Sequence, residues 1–464
     1  MLSRAEAWDF LLKADEDSAQ RDGMRLKKKT KKTVAIATLG CKVNQYESAS
    51  FQSGFEELGL ELVSIKEDAD VCVVNTCAVT AKAGAQSRRL VRKVLREHPR
   101  ARVVVTGCYA QIASQEIVEI ADRPICIVGN GYKHLLVDIA VAEQHCDLEM
   151  YMGDIGTRKE ICDLPVRRFA DRTRAYLRVQ DGCNRFCSYC IVPYSRGRCR
   201  SLAPDKVLEQ VAVFVEEGYR ELVVTGIHTG AYGHDLAPRL ELLDLLRSIA
   251  NRFPALRYRL SSLEPTEISD ALLDFMAATD CMMPHFHIPL QSGDDGVLKR
   301  MNRRYIGAQF AEVVRRCAAA LPGAAFGIDV LVGFPGETEA AFQNTFSLLD
   351  SLPITYLHVF PYSPRPGTVA AGMAEQLPGA VKEERVAILK QLDHKKRTEF
   401  YAQQAGAEHR VLAENARNKY RRMRGFSENY VPILFKAPAE VSNQVVTVRV
   451  DRVEGENVFG TMIG

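Results

Sequence analysis

The sequence lacks any apolar run long enough for a secretion signal or a membrane-spanning helix. This absence argues against the secreted and membrane-bound classes of protein, so the 13 cysteines are not expected to form a disulfide scaffold. The net charge is also small, +3, and by itself it points to no particular partner. The 464 residues suffice for two or three domains with their own cores. The sequence therefore predicts a cytoplasmic protein that keeps its cysteines reduced.

What the sequence has instead is a tight group of cysteines, Cys183, Cys187 and Cys190, in the spacing C-x3-C-x2-C. Three thiolates on one loop can bind three irons of a four-iron cluster and leave the fourth iron open for reaction. A zinc knuckle is the alternative, but a structural zinc site normally needs a fourth protein ligand, and no histidine lies nearby. The spacing, with Tyr189 directly before the last cysteine, is typical of radical S-adenosylmethionine (SAM) enzymes and predicts a [4Fe–4S] cluster.

Upstream of this loop, residues 33–153 alternate short apolar strands with helices, a pattern typical of a doubly wound parallel sheet. Cys41, Cys77 and Cys108 each follow the carboxyl end of such a strand, within one or two residues by our prediction. The carboxyl ends of these strands lie along one edge of the sheet, where ligands bind. The three cysteines are therefore expected to converge on a second open iron site.

From residue 174 a second series of strands and helices begins, and its six strands fit a partial (β/α)6 barrel. The chemistry of such a barrel belongs at the carboxyl ends of its strands, and the polar motifs of the sequence fall there. Glycine permits close approach of the backbone to a ligand, polar side chains can hydrogen-bond a ribose or an amino acid, and a tyrosine can stack on adenine. The predicted SAM-binding residues are Tyr189, Thr225, Gly226, Ser262 and Gln291.

The last segment, from residue 406, contains short β-like runs and has the size of a small β-barrel. Within it, residues 417–426 combine five cations with two aromatic rings. Cations pair with phosphates and rings stack on bases, so this run predicts a surface for single-stranded RNA; a solvated hairpin is the alternative. The predicted RNA-binding residues are Arg417, Lys419, Tyr420, Arg421, Arg422, Arg424 and Phe426.

These patterns predict an α/β fold with a small carboxyl-terminal β-barrel, divided into successive segments. The segments are 1–32, a flexible extension; 33–153, the doubly wound domain with the strand-end cysteines; 154–173, a linker; 174–380, the partial barrel; 381–405, a connecting helix; and 406–464, the RNA-binding β-barrel.

The three larger segments together resemble the radical SAM methylthiotransferases over residues 33–464. That family joins an amino-terminal domain with three cysteines, a radical SAM barrel and a TRAM domain. Within it, the stretch TLGCKVNQYE from Thr38 to Glu47 resembles the branch that acts on N6-threonylcarbamoyladenosine in tRNA. The isopentenyladenosine branch usually has glutamine and methionine where this chain has Lys42 and Val43. The branch that modifies a ribosomal-protein aspartate differs after its first cysteine.

The resemblance implies an enzyme that inserts a methylthio group at C2 of N6-threonylcarbamoyladenosine 37, with one SAM as radical source and a second as methyl donor. It implies two [4Fe–4S] clusters, one on Cys183, Cys187 and Cys190 and an auxiliary, sulfur-carrying one on Cys41, Cys77 and Cys108. No side-chain acid or base is implied, because the C2–H bond of adenine is unactivated and the cofactors carry the difficult chemistry.

The partners that the resemblance implies are the tRNA anticodon stem-loop, a sulfur source and a reductant such as a flavodoxin or ferredoxin. The target base must leave the stack of the anticodon loop to reach the barrel. The enzyme is expected to be a monomer without a membrane partner. The alternatives are a methylthiotransferase for isopentenyladenosine 37 or a ribosomal-protein aspartate, a radical SAM enzyme of another branch with one cluster, and a non-catalytic, zinc-dependent RNA-binding protein.

Overall fold

A computed structural model of the chain describes residues 31–143, 146–170, 172–417 and 422–463, with the backbone alone described for residues 415–417. Thr33–Gly464 forms one structural unit, distinct from Met1–Lys32. The predicted flexible extension therefore lies almost wholly outside the described residues, as do Lys419, Tyr420 and Arg421.

Six strands of the amino-terminal half form one parallel sheet. They are β1 (Thr33–Thr38), β2 (Glu61–Val63), β3 (Val71–Thr76), β4 (Arg102–Gly107), β5 (Ile125–Val128) and β6 (Leu148–Tyr151). Their order across the sheet is β2-β1-β3-β4-β5-β6. The helices between them are α1 (Lys42–Glu57), α2 (Ala81–Glu97), α3 (Cys108–Ile112), α4 (Ser114–Ile120) and α5 (Leu136–Val141).

Alternate residues of these strands pack into two different cores, because successive side chains of a strand point to opposite faces. Val73 of β3 packs on one face with Phe55 of α1. Val74, the next residue, packs on the other face with Val94 of α2. Helices thus cover both faces of the sheet, and the predicted doubly wound arrangement is confirmed.

In its described residues, the central part contains six parallel strands in one row and a separate antiparallel pair of two short strands, Gln180–Asp181 and Arg200–Ser201. The strands of this part are β7 (Arg174–Arg178), β8 (Gln180–Asp181), β9 (Arg200–Ser201), β10 (Glu221–Thr225), β11 (Arg257–Leu260), β12 (His285–Gln291), β13 (Ala325–Val332) and β14 (Tyr356–Pro361). The orders β11-β10-β7 and β12-β13-β14 are joined by two parallel bridges, Tyr258 with Met282 and Ser262 with His287. β7 and β14 end the row, so the strands build a partial barrel as predicted.

Helices of the central part follow its strands and cover the outside of the barrel. They are α6 (Val192–Arg196), α7 (Pro204–Glu216), α8 (Leu242–Arg252), α9 (Asp270–Ala277), α10 (Asp295–Arg300), α11 (Gly307–Ala320) and α12 (Glu339–Ser351). Apolar residues such as Val211 of α7 and Phe310 of α11 are buried in the same core as Leu222 of β10 and Ile328 of β13.

A long helix, α13 (Gly379–Ala402), leads to the carboxyl-terminal part. This part contains β15 (Glu408–Arg417), β16 (Met423–Phe426), β17 (Pro432–Lys436), β18 (Val445–Glu454) and β19 (Asn457–Met462). The strands close into a barrel in the order β15-β16-β17-β19-β18. Phe400 and Tyr401 of α13 pack with its core. The predicted small β-barrel is confirmed.

The structure differs from the sequence prediction in several details. Helix α1 begins directly after Cys41, and the stretch after β4 forms two short helices, α3 and α4, rather than one long helix. Residues 417–426 contain a strand, β16, that the sequence prediction missed. Met423 and Gly425 of this strand are buried and alternate with outward residues, but the many cations around them obscure this alternation in the sequence. Among the described residues, no helix combines the length and the apolar character that crossing a membrane requires.

Candidate active site

The register of the amino-terminal sheet brings three cysteines together. Cys77 and Cys108 directly follow β3 and β4, and Thr76 pairs with Gly107. Cys41 lies three residues beyond β1, farther than predicted, after a turn in which Gly40 has a φ of +107°. A Cβ added at Gly40 would stand only 3.1 Å from Sγ of Cys77, so the turn needs glycine to bring Cys41 beside its neighbour.

The environment of this sheet triplet (Cys41, Cys77 and Cys108) disfavours free thiolates. Burial raises the pKa of Cys77 to about 11, and the nearby sulfur of Cys108 adds to the shift. Burial also raises the pKa of Cys41. Part of this residue is nevertheless exposed to solvent, so it lies in a solvent-accessible recess of the surface. Thiolates held together in such a place need a cation, and a metal group would supply one.

The second group, the loop triplet (Cys183, Cys187 and Cys190), lies between β8 and α6. The backbone N–H of Arg185 donates to Sγ of Cys183 at 3.4 Å, and Nη1 of Arg303 donates to Sγ of Cys187 at 3.4 Å. Burial raises the pKa of Cys190 to about 12, with the charge of Cys187 as the next cause. Donors thus approach the sulfurs of Cys183 and Cys187, whereas burial disfavours the thiolate of Cys190 unless a metal binds it.

The spacing of the sulfurs distinguishes between a single metal ion and a cluster. Two thiolates bound to one zinc at about 2.3 Å stand only about 3.8 Å apart. In the described part of the chain, one set of three potential ligands has all its ligand atoms within 4.8 Å, namely His287, Asp329 and His358. Neither cysteine triplet meets that limit. Neither triplet thus forms a compact three-ligand site in this structure, and three thiolates are the ligands that an iron–sulfur cluster with one open iron uses.

Arg196 connects the helix that follows the loop triplet with the amino-terminal sheet domain. It lies on α6, directly after the loop triplet, and is 1% exposed. Its guanidinium donates to Glu47 of α1 at 2.9 Å and to Asp181 of β8 at 3.0 Å. The charge of Arg196 also acts on Cys41 and Cys108 of the sheet triplet. Arg196 thus places a positive charge from the barrel beside the cysteines of the amino-terminal sheet.

The helices next to the two triplets also pack on each other. Cys108 begins α3, and α3 packs against α6, which begins two residues after Cys190. Ile191 shares a core with Cys108 and Tyr109. Because direct packing joins these short elements, both triplets border the same region of the molecule.

A cavity of about 420 Å³ lies inside the barrel, toward the amino ends of its strands. Its lining includes Lys42 of α1; Arg174 and Tyr176 of β7; Arg259 of β11; His285 and His287 of β12; Tyr356 and His358 of β14; Arg397 and Tyr401 of α13; and Arg424, Phe426 and Tyr430 of the carboxyl-terminal part. All three parts of the chain therefore contribute to one cavity, which we call the lumen cavity.

The sequence prediction missed the lumen cavity, although the strands contain its signal. β7 and β14 carry polar or aromatic residues at every second position, as in Arg174, Tyr176 and Arg178, and β12 does so in its first half. A strand inside a filled barrel normally directs branched apolar side chains inward. Charged residues at the inward positions instead predict a wet, polar lumen.

Tyr430 closes one side of the lumen cavity in an unusual conformation. Its φ is +69°, a region that bulky residues rarely adopt. The ring stacks on Phe426 at 4.8 Å, and the guanidinium of Arg259 lies 4.8 Å from its centroid. Arg259 also donates to the backbone carbonyls of Ser427 and Glu428, which fixes this turn against the barrel. Strain of this kind occurs where the surroundings hold a residue in place for function.

Comparison with known proteins agrees with this arrangement. Residues 33–129 match the Uncharacterized protein family UPF0004, and residues 177–349 match the Radical SAM superfamily. The threonylcarbamoyladenosine tRNA methylthiotransferase MtaB of Bacillus subtilis (strain 168) is 38% identical, over 90% of this chain and 93% of its own length. The MtaB protein of Aquifex aeolicus (strain VF5) is 38% identical, over 89% of this chain and 98% of its own. The chain belongs to the radical SAM methylthiotransferase family.

As a radical SAM methylthiotransferase, the protein uses SAM and an iron–sulfur cluster. More distant relatives include a tRNA-2-methylthio-N(6)-dimethylallyladenosine synthase of Pelotomaculum thermopropionicum, 32% identical over 90% of this chain and 95% of its own. Among solved structures, the radical S-adenosylmethionine methyltransferase TsrM from Kitasatospora setae has a TM-score of 0.52 at 15% identity and covers 74% of each chain. That likeness supports the fold.

The five residues predicted to bind SAM lie at or near the carboxyl ends of barrel strands or in the cysteine loop. Thr225 ends β10, Gly226 follows it, Ser262 lies two residues after β11, and Gln291 ends β12 with a φ of +66°. Gly226 faces Gln180, since an added Cβ would lie 2.8 Å from its Oε1. Tyr189 packs beside Phe334 and Tyr362 in a small apolar cluster. Their role in binding SAM stays a prediction.

Two of the predicted RNA-binding residues line the lumen cavity. Arg424 is exposed, with its guanidinium 4.9 Å from the centroid of Phe426. Phe426 already contacts Tyr430 on one side and Arg174 at 4.4 Å. Arg422 lies 5.4 Å from the ring of Phe459, and Arg417 ends β15. Arg424 and Phe426 therefore connect the predicted RNA surface with the barrel interior, and their contact with RNA stays a prediction.

Proposed function

We propose that the protein inserts a methylthio group at C2 of N6-threonylcarbamoyladenosine 37 of tRNA, by radical SAM chemistry. The observation that carries this proposal is the placement of two separate groups of three cysteines, joined through Arg196 and the packing of α3 on α6. Two such groups suit a reaction that needs both a radical and a bound sulfur. The MtaB relatives, named for threonylcarbamoyladenosine tRNA, support the choice of substrate.

Each triplet would hold one [4Fe–4S] cluster, with Cys183, Cys187 and Cys190 as ligands of the first and Cys41, Cys77 and Cys108 as ligands of the second. When bound, these clusters supply the electron for reductive cleavage of SAM and the position from which the sulfur is transferred. The chain itself tunes the two sites. Arg303 donates to a loop sulfur, and Arg196 brings positive charge to the sheet triplet.

The barrel positions the substrates around these sites. Tyr189, Thr225, Gly226, Ser262 and Gln291 would bind SAM beside the loop triplet. The flipped base would enter the lumen, where surrounding protein excludes bulk water. The cations and rings of residues 417–426 would bind the anticodon stem-loop, since phosphates pair with cations and bases stack on rings.

The remaining parts of the proposal concern the cell. The enzyme would act in the cytoplasm as a monomer, with a flavodoxin or ferredoxin as reductant and a separate sulfur source. The division of the chain into segments at residues 33, 154, 174, 381 and 406 is likewise part of this proposal.

Nucleoside mass spectrometry of tRNA tests the proposed function. The tRNA of a strain without the gene should retain N6-threonylcarbamoyladenosine and lack its 2-methylthio derivative, and the intact gene should restore the derivative. A gene with alanine at Cys183, Cys187 and Cys190 should not restore it. Loss of the methylthio form of dimethylallyladenosine instead would contradict the proposal and favour the other tRNA branch.

A further inference from the structure

We propose that the lumen cavity binds the carboxylate of the threonyl group on the substrate base, and that Lys42 selects for this carboxylate. This inference rests on the proposed function and adds how the enzyme tells its base from other N6-substituted adenosines. The threonylcarbamoyl group carries a carboxylate, a hydroxyl and a urea. A dimethylallyl group is apolar throughout.

The charges of the lumen cavity are the first argument. Its described lining includes five cations, Lys42, Arg174, Arg259, Arg397 and Arg424, and no aspartate or glutamate. Three of these cations have carboxylate partners outside the lining. The pairs are Arg174 with Glu414 at 3.2 Å, Arg259 with Glu221 at 2.9 Å and Arg397 with Asp393 at 2.8 Å.

Lys42 and Arg424 have no ion-pair partner among the described residues, and they occupy different places. Arg424 is exposed at the rim of the cavity, on the strand β16. Lys42 is half-buried and lines the cavity together with Arg174 and with His287, whose hydrogen-bond partner is Asp329. A half-buried ammonium beside a second cation is unfavourable unless an anion joins it. The carboxylate of the substrate would be that anion.

The position of Lys42 is the second argument. It is the first residue of α1 and directly follows Cys41, so its backbone is fixed at the sheet triplet while its side chain lines the lumen cavity. A base bound in the lumen would thus have its N6 substituent beside Lys42 and remain close to the sheet triplet. One residue would link recognition of the substituent to the sulfur-carrying site.

The imidazole groups of the cavity suit the rest of the substituent. His287 hydrogen-bonds Asp329 at 2.8 Å, and the ring of His358 lies 5.2 Å from that of His287. These groups can donate to and accept from a urea and a hydroxyl. The volume, about 420 Å³, is in the range of small-molecule sites, about 300–1,000 Å³. An apolar substituent would leave Lys42 without an anionic partner in the cavity, which opposes its binding.

The experiment compares two anticodon stem-loop RNAs that differ only in the N6 substituent. One carries the threonylcarbamoyl carboxylate, and the other carries the corresponding primary carboxamide, which removes the charge and keeps the shape. Dissociation constants are measured by fluorescence anisotropy with the full chain, in the absence of reductant. The variants are Lys42→Gln, Lys42→Arg as the charge-conserving change, and Lys66→Gln, which removes an exposed lysine outside the cavity.

The unmutated protein should bind the carboxylate RNA about 10–100-fold more tightly than the carboxamide RNA, the range for a hydrogen bond to a charged group. Lys42→Gln should reduce this preference to less than about threefold, whereas Lys42→Arg and Lys66→Gln should keep most of it. The ratio within one preparation is insensitive to the fraction of folded or cluster-loaded protein. A preference that is absent in the unmutated protein, or unchanged in Lys42→Gln, would overturn the inference.

Formation of methylthiolated product by the unmutated enzyme tests the proposed function separately from this inference. Methylthiolated product without any carboxylate preference would count against this inference alone. A Lys42-dependent preference without any methylthiolated product would support the binding inference and count against the proposed function.

Discussion

The chain assembles its two cysteine triplets in different ways. The loop triplet lies within eight consecutive residues, Cys183 to Cys190. The sheet triplet comes from three strand ends, and it forms only because β1, β3 and β4 are neighbours in register. The loop triplet is therefore a local structure, whereas the sheet triplet depends on the fold of a whole domain.

This difference extends to the cations around the sulfurs. Arg303 reaches the loop triplet from the barrel that carries it. Arg196 follows the loop triplet in sequence, yet its charge acts on Cys41 and Cys108 of the sheet triplet. The sheet triplet therefore depends on docking of the barrel, and the loop triplet does not. Substitutions in one region should therefore abolish radical formation, and substitutions in the other should abolish sulfur transfer alone.

Removal of the loop triplet should have the largest effect. Replacing Cys183, Cys187 and Cys190 together by alanine should abolish 5′-deoxyadenosine formation and lower the iron content from about eight to about four per chain. Iron analysis and chromatography of the SAM products measure both quantities. The control replaces the buried Cys281 and Cys317, which lie outside both triplets, and should keep all the iron. Continued SAM cleavage by the triple variant would refute the role given to the loop.

Arg196→Met should break the connection between the two regions. The change leaves Glu47 and Asp181 buried with fewer cationic partners, which costs about 3–5 kcal/mol in the free energy of unfolding. Chemical denaturation measures this cost. Arg198→Met is the matched control, because Arg198 is exposed and contacts only the face of Phe186 in the described structure, so about 0.5–1 kcal/mol is expected. Equal costs for the two variants would mean that the network does not hold the interface.

The predicted RNA surface should be separable from both triplets. Changing Arg421, Arg422 and Arg424 to alanine should weaken tRNA binding and reduce its salt dependence, by about 0.7 in the log–log slope for each lost contact with a single-strand phosphate. Iron content and tRNA-independent SAM cleavage should not change. The control removes three exposed arginines of the barrel, Arg239, Arg247 and Arg252. An unchanged slope in the first variant would favour the solvated-hairpin interpretation.

The smallest effect concerns acid stability at the junction of the two barrels. Burial would raise the pKa of Glu221, but Arg259 and Arg257 outweigh burial and hold it below its usual value of 4.5. On acidification, the carboxylate of Glu221 therefore takes up its proton at a higher pH in the unfolded chain than in the folded chain. The ionised carboxylate stabilises the fold above about pH 4.5, and this stabilisation is lost as the pH falls through the folded-state pKa. Urea midpoints between pH 6 and pH 4 should fall less in Glu221→Gln than in the unmutated chain. Equal losses would contradict this assignment.

The same contrast explains what the sequence could predict. The loop triplet was visible as a spacing, and the sheet triplet followed from the rule that parallel strands end at one edge. Both predictions needed only local patterns and one general property of sheets. The structure brings the predicted cysteines together as expected, with Cys41 one residue farther from its strand than the prediction allowed.

The residues that the prediction missed depend on distant contacts. Arg196 meets Glu47 across a separation of 149 residues, which no local pattern reveals. Lys42 was noted as a difference between branches of the family, but its place in the lumen cavity required the docking of three parts of the chain. Gly226 was expected to make room for a ligand, whereas the structure shows the side chain of Gln180 against it.

The most direct test of the central claim is one reaction in which two products are measured. The claim is that the sheet triplet carries the transferred sulfur and the loop triplet forms the radical. In a chain with alanine at Cys41, Cys77 and Cys108, 5′-deoxyadenosine should still form and methylthiolated nucleoside should be absent. A control with alanine at Cys72 and Cys126, buried in strands of the same sheet, should form both. Continued formation of the methylthiolated nucleoside by the triple variant would contradict the account.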